Sequence, residues 1–199
     1  MLEVRNLSFD YPEQTMLSNI SFSINAGQLL HLRGGNGAGK TTLLRLLAGL
    51  LEPAGGEIVW RQQVIRDNLP AYQKLVCYVG HRPGLNLHLT IRENCYFDWH
   101  CTDRQYIERW LINFNLLPLA DKPCYQLSAG QRRRAALLRI AMTDALIWLL
   151  DEPLVALDQQ SVTLLSGCLL NHLQKGGLIV MTSHQDLPEE LADCMEYVL

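Results

Sequence analysis

The sequence is short of positive charge. Its 199 residues carry 17 Lys and Arg against 20 Asp and Glu, a formal net charge of −3. Tight nonspecific binding to nucleic acid or to an anionic membrane needs a broad cationic surface, so neither has much electrostatic support here. Arg132-Arg133-Arg134 is the only basic cluster. It reads by default as a solvated helical face, with a nucleotide or partner contact as the sharper alternative. No stretch approaches the roughly 20 apolar residues that span a bilayer. The opening MLEVRNLSF breaks any apolar run with polar and acidic residues, so no secretory signal is expected. The six cysteines, at 77, 95, 101, 124, 168 and 194, form no C-x-x-C pair and no zinc-like spacing with histidine. They read as buried, reduced thiols in a reducing cytosol, which leaves any membrane role to a partner. Internal repeats, low-complexity tracts and disordered linkers are missing as well. What remains is a chain 48% hydrophobic, enough to bury the core of one compact domain with an inserted subdomain.

The most informative segment is Gly34-Gly35-Asn36-Gly37-Ala38-Gly39-Lys40-Thr41, followed by Thr42. It matches the phosphate-binding loop pattern in full, and it sits between an apolar run, Leu29 to Leu32, and a Leu-rich helix. Glycines let the backbone fold around an anion, so that several N–H groups and the positive end of the helix point at one phosphate chain. Lys40 is expected to reach the β and γ phosphates and Thr41 to hold Mg²⁺.

Alternating apolar and polar positions over the first thirty residues (Leu2, Val4, Leu7, Phe9; Ile20, Phe22, Ile24) predict half-buried antiparallel strands joined around Pro12. A helix is predicted over Lys40 to Leu51, stopping at Pro53, and strands around Glu57 to Trp60 and Leu75 to Val79. From Gly84 the chain turns helical and aromatic, with a capping-box pattern at Thr90 to Glu93 and a core face of Tyr106, Ile107, Trp110, Leu111 and Phe114. This stretch reads as a helical insertion. Strands return at Ala145 to Leu150 and Leu178 to Met181, as continuous apolar runs suited to a sheet covered on both faces, with a helix around Gln159 to Lys175 between them.

Phosphoryl transfer also needs groups that fix the metal, activate water and sense the terminal phosphate. Asp151 and Glu152 follow the strand IWLL, so both carboxylates emerge at its carboxyl end, beside the expected phosphate loop. Asp151 is the candidate metal ligand, and Glu152 the candidate for polarising the attacking water. His184, just past the strand LIVMT, is placed to bond a γ-phosphate oxygen. In Leu127-Ser128-Ala129-Gly130-Gln131, Ser128 reads as an N-cap with Gln131 three residues on, and the small residues leave the helix amides open to an anion. An outward-projecting helical insertion would keep this second phosphate-binding end from the nucleotide held by Lys40, so a partner chain is expected to complete each site.

With LSAGQ added to the phosphate loop, the chain resembles the ATP-binding subunits of ABC transporters across essentially all its residues. The resemblance implies an α/β P-loop NTPase fold: a mixed sheet core, an antiparallel β subdomain, and a helical subdomain, approximately residues 84–143, inserted into a single ATP-binding domain, 1–199. It implies Mg²⁺-dependent ATP hydrolysis and an ATP-bridged, head-to-tail homodimer in which Ser128 and Gly130 contact nucleotide on the opposite subunit. By position Tyr11 resembles the residue that stacks on adenine, or it is simply a strand residue. Lys40, Thr41 and Thr42 match the Walker A loop, Asp151 the Walker B metal ligand, Glu152 the catalytic glutamate, Asp158 the D-loop aspartate and His184 the switch histidine.

GHRPGL, LSAGQRRR with ALLR, and TSHQDL narrow the resemblance to the ATP-binding subunits of bacterial cytochrome c maturation haem exporters. That implies integral membrane partners of a cytochrome c maturation complex, a peripheral position on the cytoplasmic face of the inner membrane, no nucleic acid, and haem export or release from a haem chaperone. Two departures stand out. Arg82 takes the place of the glutamine that usually touches Mg²⁺, and a cation cannot ligate a metal, so either His81 or a water substitutes, or coupling to the partner is altered. The D-loop, Val155-Ala156-Leu157-Asp158, is also not led by serine. The alternatives are an ABC ATPase for another substrate, a soluble ABC protein acting on nucleic acid, and a small-molecule kinase.

Overall fold

The computed structural model describes residues 1–12, 14–97 and 103–199. Cys101 and positions 98–102 of the expected helical insertion lie outside them. Two sheets frame the molecule. In the first, β1 (Leu2–Tyr11) and β2 (Gln14–Ile24) form an antiparallel pair around Pro12, with Leu2 opposite Ile24 and Phe9 opposite Leu17. β4 (Gly55–Trp60) pairs with the other edge of β1, and β5 (Gln63–Val64) follows it, giving the order β2-β1-β4-β5. Leu2, Val4 and Leu7 are all buried although Val4 and Leu7 are out of step with strict alternation. A register shift between them, with Asn6 at φ 47°, restores the inward aim of Leu7.

The second sheet is parallel: β3 (Leu29–Arg33), β6 (Val76–Val79), β7 (Ile147–Leu150), β8 (Leu178–Thr182) and β9 (Met195–Val198), in the order β6-β7-β8-β3-β9. β7 and β8 are buried along their whole length, the signature of a sheet covered on both faces. One cover is α1 (Lys40–Leu47), whose Leu43, Leu44, Leu46 and Leu47 pack into the core shared with the antiparallel sheet. This helix stops four residues short of the predicted Leu51. Gly49 (φ 65°) closes it with Gly49 N–H on Leu46 O and Leu50 N–H on Arg45 O, a Schellman end that acts before Pro53 is reached. Leu50 is left exposed.

A short α2 (Leu69–Gln73) leads into β6. Between β6 and β7 lie α3 (Ile91–Phe97), α4 (Arg104–Asn113) and α5 (Ala129–Ala141). The capping box forms as the sequence predicts: Glu93 N–H donates to Thr90 Oγ1 at 3.1 Å, and Thr90 N–H to Glu93 Oε2 at 2.8 Å. Ile107, Leu111 and Phe114 are buried, whereas Tyr106 is partly exposed and donates its hydroxyl to Ala141 O. α6 (Gln159–Gln174) covers the sheet before β8.

Cys77, Cys124, Cys168 and Cys194 lie outside any disulfide, and Cys95 is buried. Burial pushes the Cys77 thiol up to about 12 and Cys168 to about 11. Because the thiolate is the reactive form, neither should alkylate in the native protein at neutral pH, while both should label once it is unfolded. Peptide mapping after iodoacetamide treatment with and without denaturant checks this.

Candidate active site

Three strand ends meet at the carboxyl edge of the parallel sheet, where open α/β sheets bind ligands. β3 delivers the glycine loop, β7 delivers Asp151 and Glu152, and β8 delivers Thr182, Ser183 and His184. The loop curls ahead of α1 with Gly39 as N-cap at φ 96°, and a Cβ there would stand 2.7 Å from Leu17 Cδ2 of β2. The antiparallel sheet lies close behind the loop, and the left-handed backbone reserves this position for glycine. Lys40 is buried, and its ammonium donates to Gly34 O at 2.7 Å and Gly35 O at 2.9 Å, so it sits within the concavity of the loop.

Asp151 is almost fully buried and both its oxygens are engaged: Thr41 Oγ1 donates to Oδ2 at 2.8 Å and Thr182 Oγ1 to Oδ1 at 2.9 Å. Thr182 Oγ1 also accepts the N–H of Glu152 at 2.8 Å. Glu152 takes a left-handed backbone conformation, φ 52°, uncommon for a residue with a Cβ. Its carboxylate is held by His184, whose backbone N–H donates to Oε2 at 3.3 Å and whose Nε2 lies 3.4 Å from Oε1. The His184 ring is half exposed, facing the cleft.

The cleft so formed, about 350 Å³, is lined by Met16, Asn36 to Thr42, His81, Asp151, Glu152, Val155 and His184. Gly34 and Gly35 reach it through Lys40. Tyr11 stands at its edge, with its hydroxyl 3.5 Å from Thr42 Oγ1 and its ring edge-on to Phe9. His81 lines the cleft, whereas Arg82 is exposed and absent from the lining. A larger groove of about 660 Å³ lies at the opposite end of the strands, between α4, α5 and α6. It contains none of the loop amides or carboxylates above, so size does not mark the site.

Ser128, Gly130 and Asp158 stand apart from this cleft. Ser128 caps α5 in a full capping box, accepting from Gln131 N–H at 3.2 Å and donating its own N–H to Gln131 Oε1 at 2.8 Å. Gly130 backs onto Ala156 O, which an added Cβ would approach to 3.2 Å. Asp158 caps α6 by accepting from Ser161 N–H and pairs with Arg134 at 3.2 Å. The Ser161 hydrogen bonds hold its carboxyl below the ordinary value.

The arginine triplet is corrected by the structure. Arg133 is only 6% exposed, and Arg132 and Arg134 are half-buried, so the triplet is no solvated face. Thr182, Met16 and Arg133 are the site elements that sequence reasoning missed.

The profile of the ABC transporter family matches residues 17–155, well over half the chain. The chain belongs to the ABC transporter ATP-binding family. As a member of it, the protein is an ATP-binding ATPase. The cytochrome c biogenesis ATP-binding export protein CcmA of Legionella pneumophila (strain Lens) is 52% identical over 100% of both chains. A Salmonella paratyphi A protein of the same description is 42% identical over 94% of this chain and 91% of its own. Among solved structures, an ABC transporter ATP-binding protein from Pyrococcus furiosus superposes with a TM-score of 0.83, at 26% identity, over 100% of this chain and 96% of that one. An ATP-binding cassette solved as a dimer after hydrolysis, with ADP and Pi, shares the fold at a TM-score of 0.79 and 24% identity, over 93% of this chain and 88% of that one. Among the described residues, no helix of this ABC protein is long and apolar enough to cross a membrane.

Proposed function

We propose that this ABC ATPase is the energy-supplying subunit of a bacterial cytochrome c maturation complex, where it powers haem export or release from a haem chaperone. The full-length 52% identity to a cytochrome c biogenesis export protein carries that assignment. In this reading residues 1–199 form a single ATP-binding unit with a helical subdomain at about 84–143. It is a peripheral protein on the cytoplasmic face of the inner membrane, held there by integral membrane subunits.

The catalytic half of the proposal rests on the meeting of Thr41, Asp151, Thr182 and Glu152 beside Lys40. Mg²⁺ suits a hard oxygen set of a hydroxyl and a carboxylate completed by water and phosphate, and Thr41 Oγ1 and Asp151 Oδ2, 2.8 Å apart, supply such a pair. Bound there, it would neutralise charge on the β and γ phosphates. Lys40 and the loop amides of Gly34 to Thr42 hold the phosphate chain, Tyr11 borders the adenine end, and Glu152 accepts a proton from the attacking water. His184 orients Glu152 and bonds the terminal phosphate. Ser128, Gly130 and Asp158 are not among the residues that line this cleft, which supports a head-to-tail homodimer in which they complete the partner's site.

A pull-down of tagged Glu152→Gln protein with ATP, from gently solubilised membranes of its source cell, tests the assignment. Co-purification of cytochrome c maturation membrane subunits is expected. Recovery of a different permease would discard the haem role while keeping the ATPase. Arg82→Gln is expected to lower the Mg²⁺ concentration for half-maximal ATPase by about 2- to 10-fold, the worth of one added polar contact, or to raise ATPase stimulated by the membrane partners. A magnesium titration of both proteins, alone and with those partners, checks this, and no change in either assay removes Arg82 from the mechanism.

A further inference from the structure

Arg133 is a buried cation whose three hydrogen bonds all go to backbone carbonyls. Nη1 donates to Gly80 O at 2.9 Å, and Nη2 donates to Asp151 O at 2.7 Å and Glu152 O at 2.6 Å. Those carbonyls belong to two places: the end of β6, next to His81, and the turn that carries both acidic residues. The fixed fork of a guanidinium reaches several acceptors at once, which an ammonium cannot do.

The grip falls where the backbone most needs one. A left-handed glutamate persists only where its surroundings over-determine it. Thr182 Oγ1 holds the N–H of Glu152 and Arg133 holds its carbonyl, so the residue is pinned on both sides. That peptide geometry sets where the Glu152 carboxylate points. Arg133 also lies on α5 only five residues beyond Ser128, about 7.5 Å along one rigid helix. Ser128 and Gly130, at the start of that helix, do not line this chain's own cleft.

We propose that Arg133 is a positioning residue. It fixes the Glu152 turn in its hydrolytic geometry and ties that turn to the N-terminal end of α5, so that displacement of the Ser128 end by a partner's nucleotide is felt at this chain's own general base. The inference rests on Glu152 being that base. Arg133 does not line the cleft, and its hydrogen bonds go to backbone carbonyls. Its loss should therefore appear in turnover and not in ATP affinity, which depends on Lys40 and the glycine loop.

The test is steady-state ATPase of the purified full chain carrying Arg133→Met, Arg133→Lys, Glu152→Gln or Arg133→Met with Glu152→Gln, alongside ATP-binding titrations. Arg133→Met should lower kcat by about 10- to 100-fold, as misplacement of a catalytic group does, with KM and ATP affinity within about threefold of the parent. Arg133→Lys, which retains the charge and one donor direction, should recover part of the loss and serves in its place if Arg133→Met does not fold. Adding Arg133→Met to Glu152→Gln should cost nothing further, because a group acting through Glu152 has nothing left to position. Three results overturn the proposal: kcat unchanged in folded Arg133→Met or Arg133→Lys protein, a rise in KM at constant kcat, or an equal loss in both backgrounds. Parental turnover in Glu152→Gln alone would instead refute the general-base reading itself, and the proposal with it.

Discussion

Glu152→Gln is expected to lower ATP turnover by about 10²–10⁴-fold, the range for removing a positioned general base, while leaving ATP binding intact. Glutamine keeps the shape and can still accept from the His184 N–H, now 3.3 Å from the carboxylate. It cannot take a proton from water. Asp151, Thr41 and Lys40, which carry the metal and phosphate contacts in this account, are untouched, so affinity should survive. Phosphate release at saturating ATP, paired with a binding titration, reads both quantities. Turnover within about threefold of the parent would mean that another group activates water, with His184 the first to examine.

Lys40→Ala should act on the opposite quantity. The ammonium already lies within the loop, donating to Gly34 O and Gly35 O, and is placed to turn those donors onto phosphate oxygens. Hydrogen bonds to charged groups contribute about 1.5–3 kcal/mol each, so losing even one weakens ATP binding by about 10- to 100-fold. Turnover should fall further, since the same charge stabilises the transferring phosphoryl group. Isothermal titration with ATP checks the affinity. Parental affinity would show that the loop amides alone hold the phosphates and that the lysine is dispensable for binding.

The residues that the sequence made legible are those whose chemistry is local. A glycine loop between an apolar strand and a helix announces its own backbone shape, and a Ser or Thr three residues ahead of Glu or Gln announces a helix start. Both capping boxes appear where the spacing puts them. The carboxylates of Asp151 and Glu152 were legible because a short apolar strand ends immediately before them. Thr182 was not, since its importance depends on β8 lying beside β7, and strand order in a parallel sheet is set by packing over long sequence separations.

Arg133 was misread for a related reason. Three consecutive arginines on a helix occupy different faces, about 100° apart, and only the packing of α5 against two strand ends decides which one is buried. His81 and Arg82 illustrate the same limit at neighbouring positions: both are exposed, but only the first lines the cleft. The end of α1 was different in kind. Gly49 is itself a local signal, and it ends the helix before Pro53 can.

In the proposed mechanism ATP joins two copies of this chain, each completing the other's site with Ser128 and Gly130. Sedimentation velocity of the Glu152→Gln protein, with and without Mg²⁺-ATP, tests it most directly, with Ser128→Arg in the same background as the control. The account predicts a monomer without nucleotide, a dimer holding two ATP molecules with it, and a monomer again when Ser128 is replaced. A monomer that binds ATP to full occupancy, or a dimer indifferent to both ATP and Ser128, would contradict it.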